Sequence, residues 1–310
     1  MNLHQLHVSY PRRVFLTDDA FEANFGKLAT WEHLATGGEN EVFLAADGIH
    51  VIKRLASVSD GEFDLNISSD DSANSANSRD PEISRLNTVR KEFRLPRRHD
   101  NITTTIAVSP SYTAELRRDG TLVEHVSSHD RPSLKERLRV CNNVLSGVVA
   151  IHETGIAHLD IKPDNILMSN RVASVADFGF ATCVDESDLG IGGTAGWTPS
   201  HRWSGKKLFL VDVYSACMIV IGILAWSKDL FDECTHFHRL IDRETRDVAS
   251  YCDVLKTVFS DTCFFPSGNH FLPQTFLEEL QRGLLGVECG EEDGSIYRIL
   301  TAVMSLEDSL

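Results

Sequence analysis

The chain has 310 residues, of which 42% are hydrophobic and 8% aromatic, and it carries a formal net charge of −15 at pH 7. That length and apolar content allow a sizeable core, in one large domain or in two small ones. The acidic balance argues against nucleic-acid binding as the main function, because phosphate backbones attract basic surfaces.

The seven cysteines are scattered, and no pair of them is spaced as C-x-x-C. This favours reduced thiols in an intracellular compartment over a disulfide scaffold or a zinc site. The N-terminus lacks the apolar core of a signal peptide. The most apolar run, residues 218–226, is too short to cross a bilayer and predicts a buried helix. We therefore expect a cytoplasmic or nuclear protein without a membrane span.

The N-terminal quarter of the chain predicts a small sheet. Residues 1–30 show little periodicity and are expected to form an N-terminal extension. From residue 31 onward alternating residues predict two strands, and Asp47-Gly48 is a two-residue hairpin signal before a third strand that contains Lys53. Residues 57–80 are rich in Ser, Asp and Asn, which cannot bury enough apolar surface to offset their ordering entropy, and predict a mobile insert.

Helices and two further strands are predicted next. Pro81 suits a first helical position, so residues 81–95 predict a helix. Residues 102–126 predict two strands around the polar turn 117–120. Residues 133–154 carry apolar side chains at helical spacing and predict a core helix that ends at Gly155.

The stretch 158–179 carries the chemistry. It holds Asp160, Lys162 and Asn165 in the pattern H-x-D-x-K-x-x-N, and D-F-G begins twelve residues later at Asp177. Phosphoryl transfer from a nucleotide needs an aspartate for the attacking hydroxyl, a cation for the γ-phosphate and oxygen ligands for magnesium. Two motifs that agree in type, order and spacing argue against a chance match.

This double motif resembles the catalytic and metal-binding loops of the eukaryotic-type protein kinases. The resemblance implies an α+β, two-lobed fold with a small β-rich N-lobe over residues 31–126 and a larger helical C-lobe over residues 127–310. It also implies a Ser/Thr protein kinase that transfers the γ-phosphate of ATP, bound with Mg²⁺, to hydroxyl groups of protein substrates.

The resemblance assigns roles to single residues. Asp160 would act as the general base or orient the hydroxyl, Lys162 would offset charge on the γ-phosphate, and a lysine at this place goes with Ser/Thr specificity. Asn165 and Asp177 would hold magnesium. The residues implied to bind ATP are Ala35, Gly37 and Val42 around the Gly-rich turn, Lys53 on the α- and β-phosphates, Glu82 paired with Lys53, Glu124 and Val126 in the hinge, and Asp130 near the ribose.

One of these assignments has a competitor. Glu92 could replace Glu82 as the helix glutamate that pairs with Lys53. Glu82 begins an amphipathic pattern with Leu86 one turn later. Pro96 would instead interrupt a helix soon after Glu92, so we prefer Glu82.

Other residues match the family in supporting roles. Gly193-Thr194 resembles the pair whose threonine hydrogen-bonds the catalytic aspartate and lysine. Asp212 matches the aspartate that caps the catalytic loop from a central helix, and His158 and Phe178 look like packing residues.

The sequence also departs from the family. Ala35 and Asn40 replace two of the three glycines, and Ser200 stands where the closing A-P-E motif has glutamate. Leu159 replaces the arginine of H-R-D, a residue that commonly pairs with an activation-loop phosphate. We therefore expect activity without phosphorylation of the candidate sites Thr182, Ser187 and Thr194.

The H-L-D-I-K variant, the short Gly-rich region, the early helix glutamate and the eroded closing motif resemble the divergent protein kinases of herpesviruses. Membership of that group would imply action in the nucleus or cytoplasm of an infected cell, or carriage in the virion tegument.

Two other functions stay open. A pseudokinase that binds partner proteins is favoured by Ala35, Asn40 and Ser200 and opposed by the intact set of Lys53, Asp160, Lys162, Asn165 and Asp177. A small-molecule kinase of the aminoglycoside or choline type is opposed by Lys162 and by D-F-G.

Overall fold

The computed structural model describes residues 14–36, 40–55, 94–95, 99–128, 130–185, 193–194, 197–199, 204–226, 273, 275–276, 278–280, 282–283 and 295–310. The chain divides into two compact units: Met1–Arg97 with Thr104–Arg117, and Arg98–Thr103 with Arg118–Leu310. The first is built on a sheet and the second mainly on helices, so the predicted α+β class is confirmed.

A six-stranded sheet forms the first unit, in the order β1-β5-β6-β4-β3-β2. The strands are β1 (Val14–Phe15), β2 (Glu32–Thr36), β3 (Asn40–Leu44), β4 (His50–Leu55), β5 (Thr105–Val108) and β6 (Tyr112–Leu116). The predicted hairpin between β3 and β4 is confirmed, but its connection covers residues 45–49 and is longer than the predicted two-residue turn. Gly48 turns the chain there with φ +70°, and Asp47 Oδ1 accepts bonds from the backbone N–H groups of Ile49 and His50.

One face of this sheet is covered by the residues just before β2. Phe21 and Phe25 of helix α1 (Asp18–Phe25) pack with Trp31 against Phe43 and Ile52 of the sheet. The sequence assigned residues 1–30 to an extension, whereas the structure places the described residues 14–30 in the first unit. Only two residues of an eight-residue helix, Phe21 and Phe25, are buried, and a pattern that short is a weak signal of a core element.

Trp31 links this helix to the sheet, since its Nε1 donates to the carbonyl of Phe25 at 2.9 Å. Trp31→Phe keeps an aromatic ring and removes the donor, so urea denaturation should show a stability loss of about 1–3 kcal/mol. Leu34→Ala, at an exposed position on β2, is the control and should change stability by less than about 0.5 kcal/mol. Equal stability of Trp31→Phe and wild type would contradict this packing.

The second unit contains four long or medium helices among its described residues. They are α2 (Leu122–Ser128), α3 (Leu134–His152), α4 (Leu208–Ala225) and α5 (Ser295–Asp308). Five short strands accompany them: β7 (Gly120–Thr121), β8 (Ile156–Ala157), β9 (Ile166–Ser169), β10 (Val172–Val175) and β11 (Thr182–Cys183). The predicted core helix is α3, which Ser133 and Glu136 open with a reciprocal capping box.

Helix α4 is the predicted buried helix. In the described part of the chain, Gly205–Ala225 is the one helical segment whose length and composition would suit a membrane span. Its most apolar window is 94% buried inside the protein, which is the state of a core helix.

The described cysteines are Cys141, Cys183 and Cys217, and all three are buried thiols. Burial raises the pKa of Cys141 and of Cys217 above the ordinary range of a thiol. Because the thiolate is the reactive form, Cys141 and Cys217 act as apolar core residues.

The secondary structure expected for the end of residues 102–126 is wrong. Strands β5 and β6 both lie before the predicted turn 117–120, and the turn is followed by the two-residue strand β7 (Gly120–Thr121) and by a helix at Leu122–Ser128. Thr121 Oγ1 accepts from the Glu124 N–H at 3.2 Å, while Glu124 Oε2 accepts from the Thr121 N–H at 2.8 Å. This T-x-x-E capping box starts a helix at the position where the sequence predicts a strand and the hinge.

Candidate active site

The backbone of the predicted catalytic loop, which begins at His158, is held by one buried carboxylate on α4. Asp212 Oδ2 accepts from the His158 N–H and Oδ1 from the Leu159 N–H, both at 2.7 Å. His152 Nε2 lies 2.9 Å from the same Oδ2. These bonds hold Leu159 at φ +66°, a conformation that non-glycine residues rarely adopt. The predicted role of Asp212 as the loop's cap is confirmed.

The ring of His158 fixes the next part of the loop. Its Nδ1 faces the N–H of Asp160 at 3.3 Å and its Nε2 faces the carbonyl of Ala176 at 3.0 Å. A nitrogen that faces a donor must accept, and one that faces a carbonyl must donate, so the ring is the neutral Nε2–H tautomer. The ring of Phe178 packs against it at 5.0 Å between centroids, in agreement with the predicted packing roles.

Three side chains converge on Asp160, which is 2% exposed. Thr194 Oγ1 donates to Oδ1 at 2.7 Å, and Asn165 Nδ2 donates to Oδ2 at 2.9 Å. Lys162 Nζ lies 3.0 Å from Oδ2 and 2.7 Å from Thr194 Oγ1. A buried carboxylate needs charged and hydrogen-bonding partners of this kind. The cluster therefore holds an ionised aspartate beside a lysine cation.

Local hairpin geometry brings Asn165 and Asp177 together. Strands β9 and β10 pair with Ile166 opposite Val175, and the Ala176 N–H donates to the Asn165 carbonyl at 2.8 Å. Asp177 follows directly, at φ +64°. The Asn165 amide nitrogen also donates to the Asp160 carbonyl at 2.8 Å, so the amide oxygen is the atom suited to a cation.

The described residues hold no group of three or more His, Cys, Asp or Glu side chains that could bind a metal. Magnesium does not require one, because it is usually bound through one or two protein oxygens together with phosphate oxygens and water. One carboxylate and one amide oxygen therefore fit magnesium bound together with a nucleotide.

The predicted nucleotide residues of the first unit form a row across its sheet. Ala35 lies opposite Val42, Val42 opposite Lys53, and Lys53 opposite Thr113. Lys53 Nζ lies 2.8 Å from Glu115 Oε1 on β6. The sequence does not predict Glu115 as a site residue, because a single glutamate in a strand gives no local signal of its partner.

Comparison with known proteins decides the family. Residues 73–261, more than half of the chain, match the family model described as the protein kinase domain. The chain belongs to the protein kinase family. The divergent features of this kinase, Leu159 and Ser200, fall within the matched residues.

Similar proteins occur in a plant and in Encephalitozoon cuniculi. A Wee1-like protein kinase of Oryza sativa is 40% identical over 82 residues, 26% of this chain and 16% of that protein. The probable serine/threonine-protein kinase WNK9 of the same plant is 27% identical over 179 residues, 53% of this chain and 43% of its own. A probable serine/threonine-protein kinase of Encephalitozoon cuniculi is 30% identical over 168 residues, 52% and 31% of the two chains. The kinase thus spans less than half the length of each of these relatives.

Several predicted site features of this kinase lie outside the described residues. They are Gly37, Glu82, its competitor Glu92, the insert 57–80, Ser187 and Ser200. Asp130 is described and exposed. Glu124 caps α2 and Val126 is buried in it. The predicted contacts of these residues with ATP stay predictions.

Proposed function

We propose that this kinase is a Ser/Thr protein kinase that transfers the γ-phosphate of ATP to hydroxyl groups of proteins. The cluster of Asp160, Lys162, Thr194 and Asn165 carries this proposal. An ionised carboxylate held at a fixed orientation can accept the proton of a serine or threonine hydroxyl as its oxygen attacks. The new bond joins that oxygen to the γ-phosphorus, the bond from phosphorus to the β–γ bridging oxygen breaks, and ADP leaves with the electron pair.

The lysine of the cluster supports both the chemistry and the substrate class. Lys162 places its ammonium next to Asp160, where it would offset charge that develops on the transferred phosphoryl group. Its bond to Thr194 links it to the activation segment, which corresponds to residues 180–200. A lysine at this place goes with Ser/Thr specificity in the resembled kinases, and two of the relatives bear the name serine/threonine-protein kinase.

The resemblance to protein kinases also assigns residues to the nucleotide and the metal. Asn165 and Asp177 would bind Mg²⁺, which neutralises charge on the phosphates when it is present. Lys53 would bind the α- and β-phosphates. The remaining proposed ATP contacts are Ala35, Gly37, Val42, Glu82, Glu124, Val126 and Asp130.

The proposal is tested by γ-phosphate transfer from labelled ATP to a basic protein. Wild type should transfer phosphate, while Lys53→Met and Asp160→Asn should not do so at a comparable rate. A wild-type chain that ATP stabilises thermally but that transfers no phosphate would instead support the pseudokinase. Transfer unaffected by Asp160→Asn would refute the role of the aspartate.

Activity should not require phosphorylation of the activation segment. Leu159, 3% exposed, packs in an apolar cluster with Ala157, Val184, Leu208 and Val211. Val184 lies at the start of that segment, and β11 just before it pairs with β8. Apolar contacts and backbone pairing therefore hold residues 182–184, near the start of the segment, next to residue 159. In H-R-D kinases the arginine at this place offers a cation to a phosphate.

Phosphatase treatment tests this expectation. Treated and mock-treated kinase should transfer phosphate at the same rate, because Leu159 offers no cation with which a phosphate on the segment could pair. Loss of activity on treatment, restored by rephosphorylation at Thr182, Ser187 or Thr194, would overturn it.

Two further proposals rest on sequence features alone. The H-L-D-I-K loop and the eroded closing motif support membership of the herpesviral protein kinase group. The corresponding location would be the nucleus or cytoplasm of the host cell, or the virion tegument.

A further inference from the structure

The ion pair of Lys53 lies within the sheet of the first unit. Lys53 is directly opposite Thr113, and Glu115 is directly opposite Val51. Lys53 and Glu115 are therefore diagonal neighbours on one face of β4 and β6. Diagonal neighbours in an antiparallel sheet lie within reach of long side chains, and here Nζ and Oε1 are 2.8 Å apart.

Glu115 is the more deeply buried member of this pair. Its side chain is 8% exposed, against 22% for Lys53. A buried carboxylate that loses its cation is strongly destabilised, so the pair should persist when a nucleotide binds. An ammonium has three N–H donors, and it can therefore hold a carboxylate and phosphate oxygens at once.

The backbone carrying Glu115 is also fixed. β6 pairs with β4 on one side and with β5 on the other, so Glu115 cannot move away without disturbing the sheet. Lysine has a flexible four-carbon stem, and a rigid carboxylate beside it selects one direction for that stem.

We propose that Glu115 is a positioning residue that holds Lys53 for the phosphates of the nucleotide. This inference rests on the proposed function, in which Lys53 binds the α- and β-phosphates. Glu115, on the neighbouring strand β6, would orient Lys53 from within the same sheet. A glutamate of the segment 81–95 could pair with Lys53 in addition.

The test compares binding of Mg-ATP and of adenosine by calorimetry for the full chain. Glu115→Gln removes the charge and keeps the shape, so ATP should bind about tenfold more weakly, the loss of one charge-assisted contact. Adenosine affinity should not change, because adenosine has no phosphates for Lys53. The KM for ATP should rise by a similar factor, with a smaller change in kcat.

Glu41→Gln is the matched control. Glu41 on β3 forms a cross-strand ion pair with Arg54 on β4. Arg54 directly follows Lys53 in β4, so this ion pair lies on the opposite face of the sheet. Loss of this pair should leave the affinity for ATP and for adenosine unchanged. The double variant Lys53→Met with Glu115→Gln should bind ATP no more weakly than Lys53→Met alone, because Glu115 acts only through Lys53.

Three outcomes would overturn the inference. They are unchanged or tighter ATP binding by Glu115→Gln, an equal loss of ATP and adenosine affinity, and an additive loss in the double variant. Failure of the wild-type chain to bind ATP would overturn the proposed function itself. Wild-type binding without weakening by Glu115→Gln would overturn only the role of Glu115.

Discussion

Asp160→Asn is expected to lower the rate of phosphoryl transfer about 10²- to 10⁴-fold, the usual contribution of a positioned general base. The amide cannot take the hydroxyl proton. In wild type Thr194, Asn165 and Lys162 all donate to the carboxylate. The amide group would direct its own N–H donors at Thr194 or at Asn165 and Lys162, so donor would face donor. The measurement is single-turnover transfer of labelled γ-phosphate at saturating ATP.

Asp164→Asn is the control for this variant. Asp164 lies in the same loop four residues later and is exposed, so the same chemical change there should leave the rate near wild type. ATP binding should survive in both variants, which separates a lost base from a lost fold. A rate for Asp160→Asn equal to that of Asp164→Asn would remove Asp160 from the mechanism.

Asp212→Asn is expected to reduce both stability and activity. The carboxylate accepts from two backbone N–H groups and faces the ring nitrogen of His152, and an amide has only one oxygen to accept with. At least one buried donor is then left unsatisfied, at a cost of about 1–3 kcal/mol. Relaxation of Leu159 from φ +66° would also move the adjacent Asp160, so the rate of transfer should fall.

Urea denaturation and the transfer assay together test this expectation. Asp308→Asn, at an exposed position in the last turn of α5, should change neither quantity. Should Asp212→Asn unfold at the wild-type urea concentration, the loop would not depend on this carboxylate.

The catalytic loop could be predicted from sequence because its residues lie close together along the chain. Asp160 and Asn165 are five residues apart, and the tight β9–β10 hairpin brings Asp177 next to Asn165. Short connections limit the possible conformations, so a spaced motif implies a geometry. The capping box at Thr121 is equally local, but the prediction of a strand over this stretch overlooks it.

The partners that lie far apart along the chain were decided by tertiary structure. Glu115 meets Lys53 only because β6 pairs with β4 in one register, and a shift by one residue would turn it to the other face. Phe21 and Phe25 belong to the core only because α1 packs on the sheet. The sequence by itself determined which groups this protein has for the proposed phosphoryl transfer and their order. Packing and strand register determined what holds them, because contacts between distant residues depend on the whole fold and leave no local pattern.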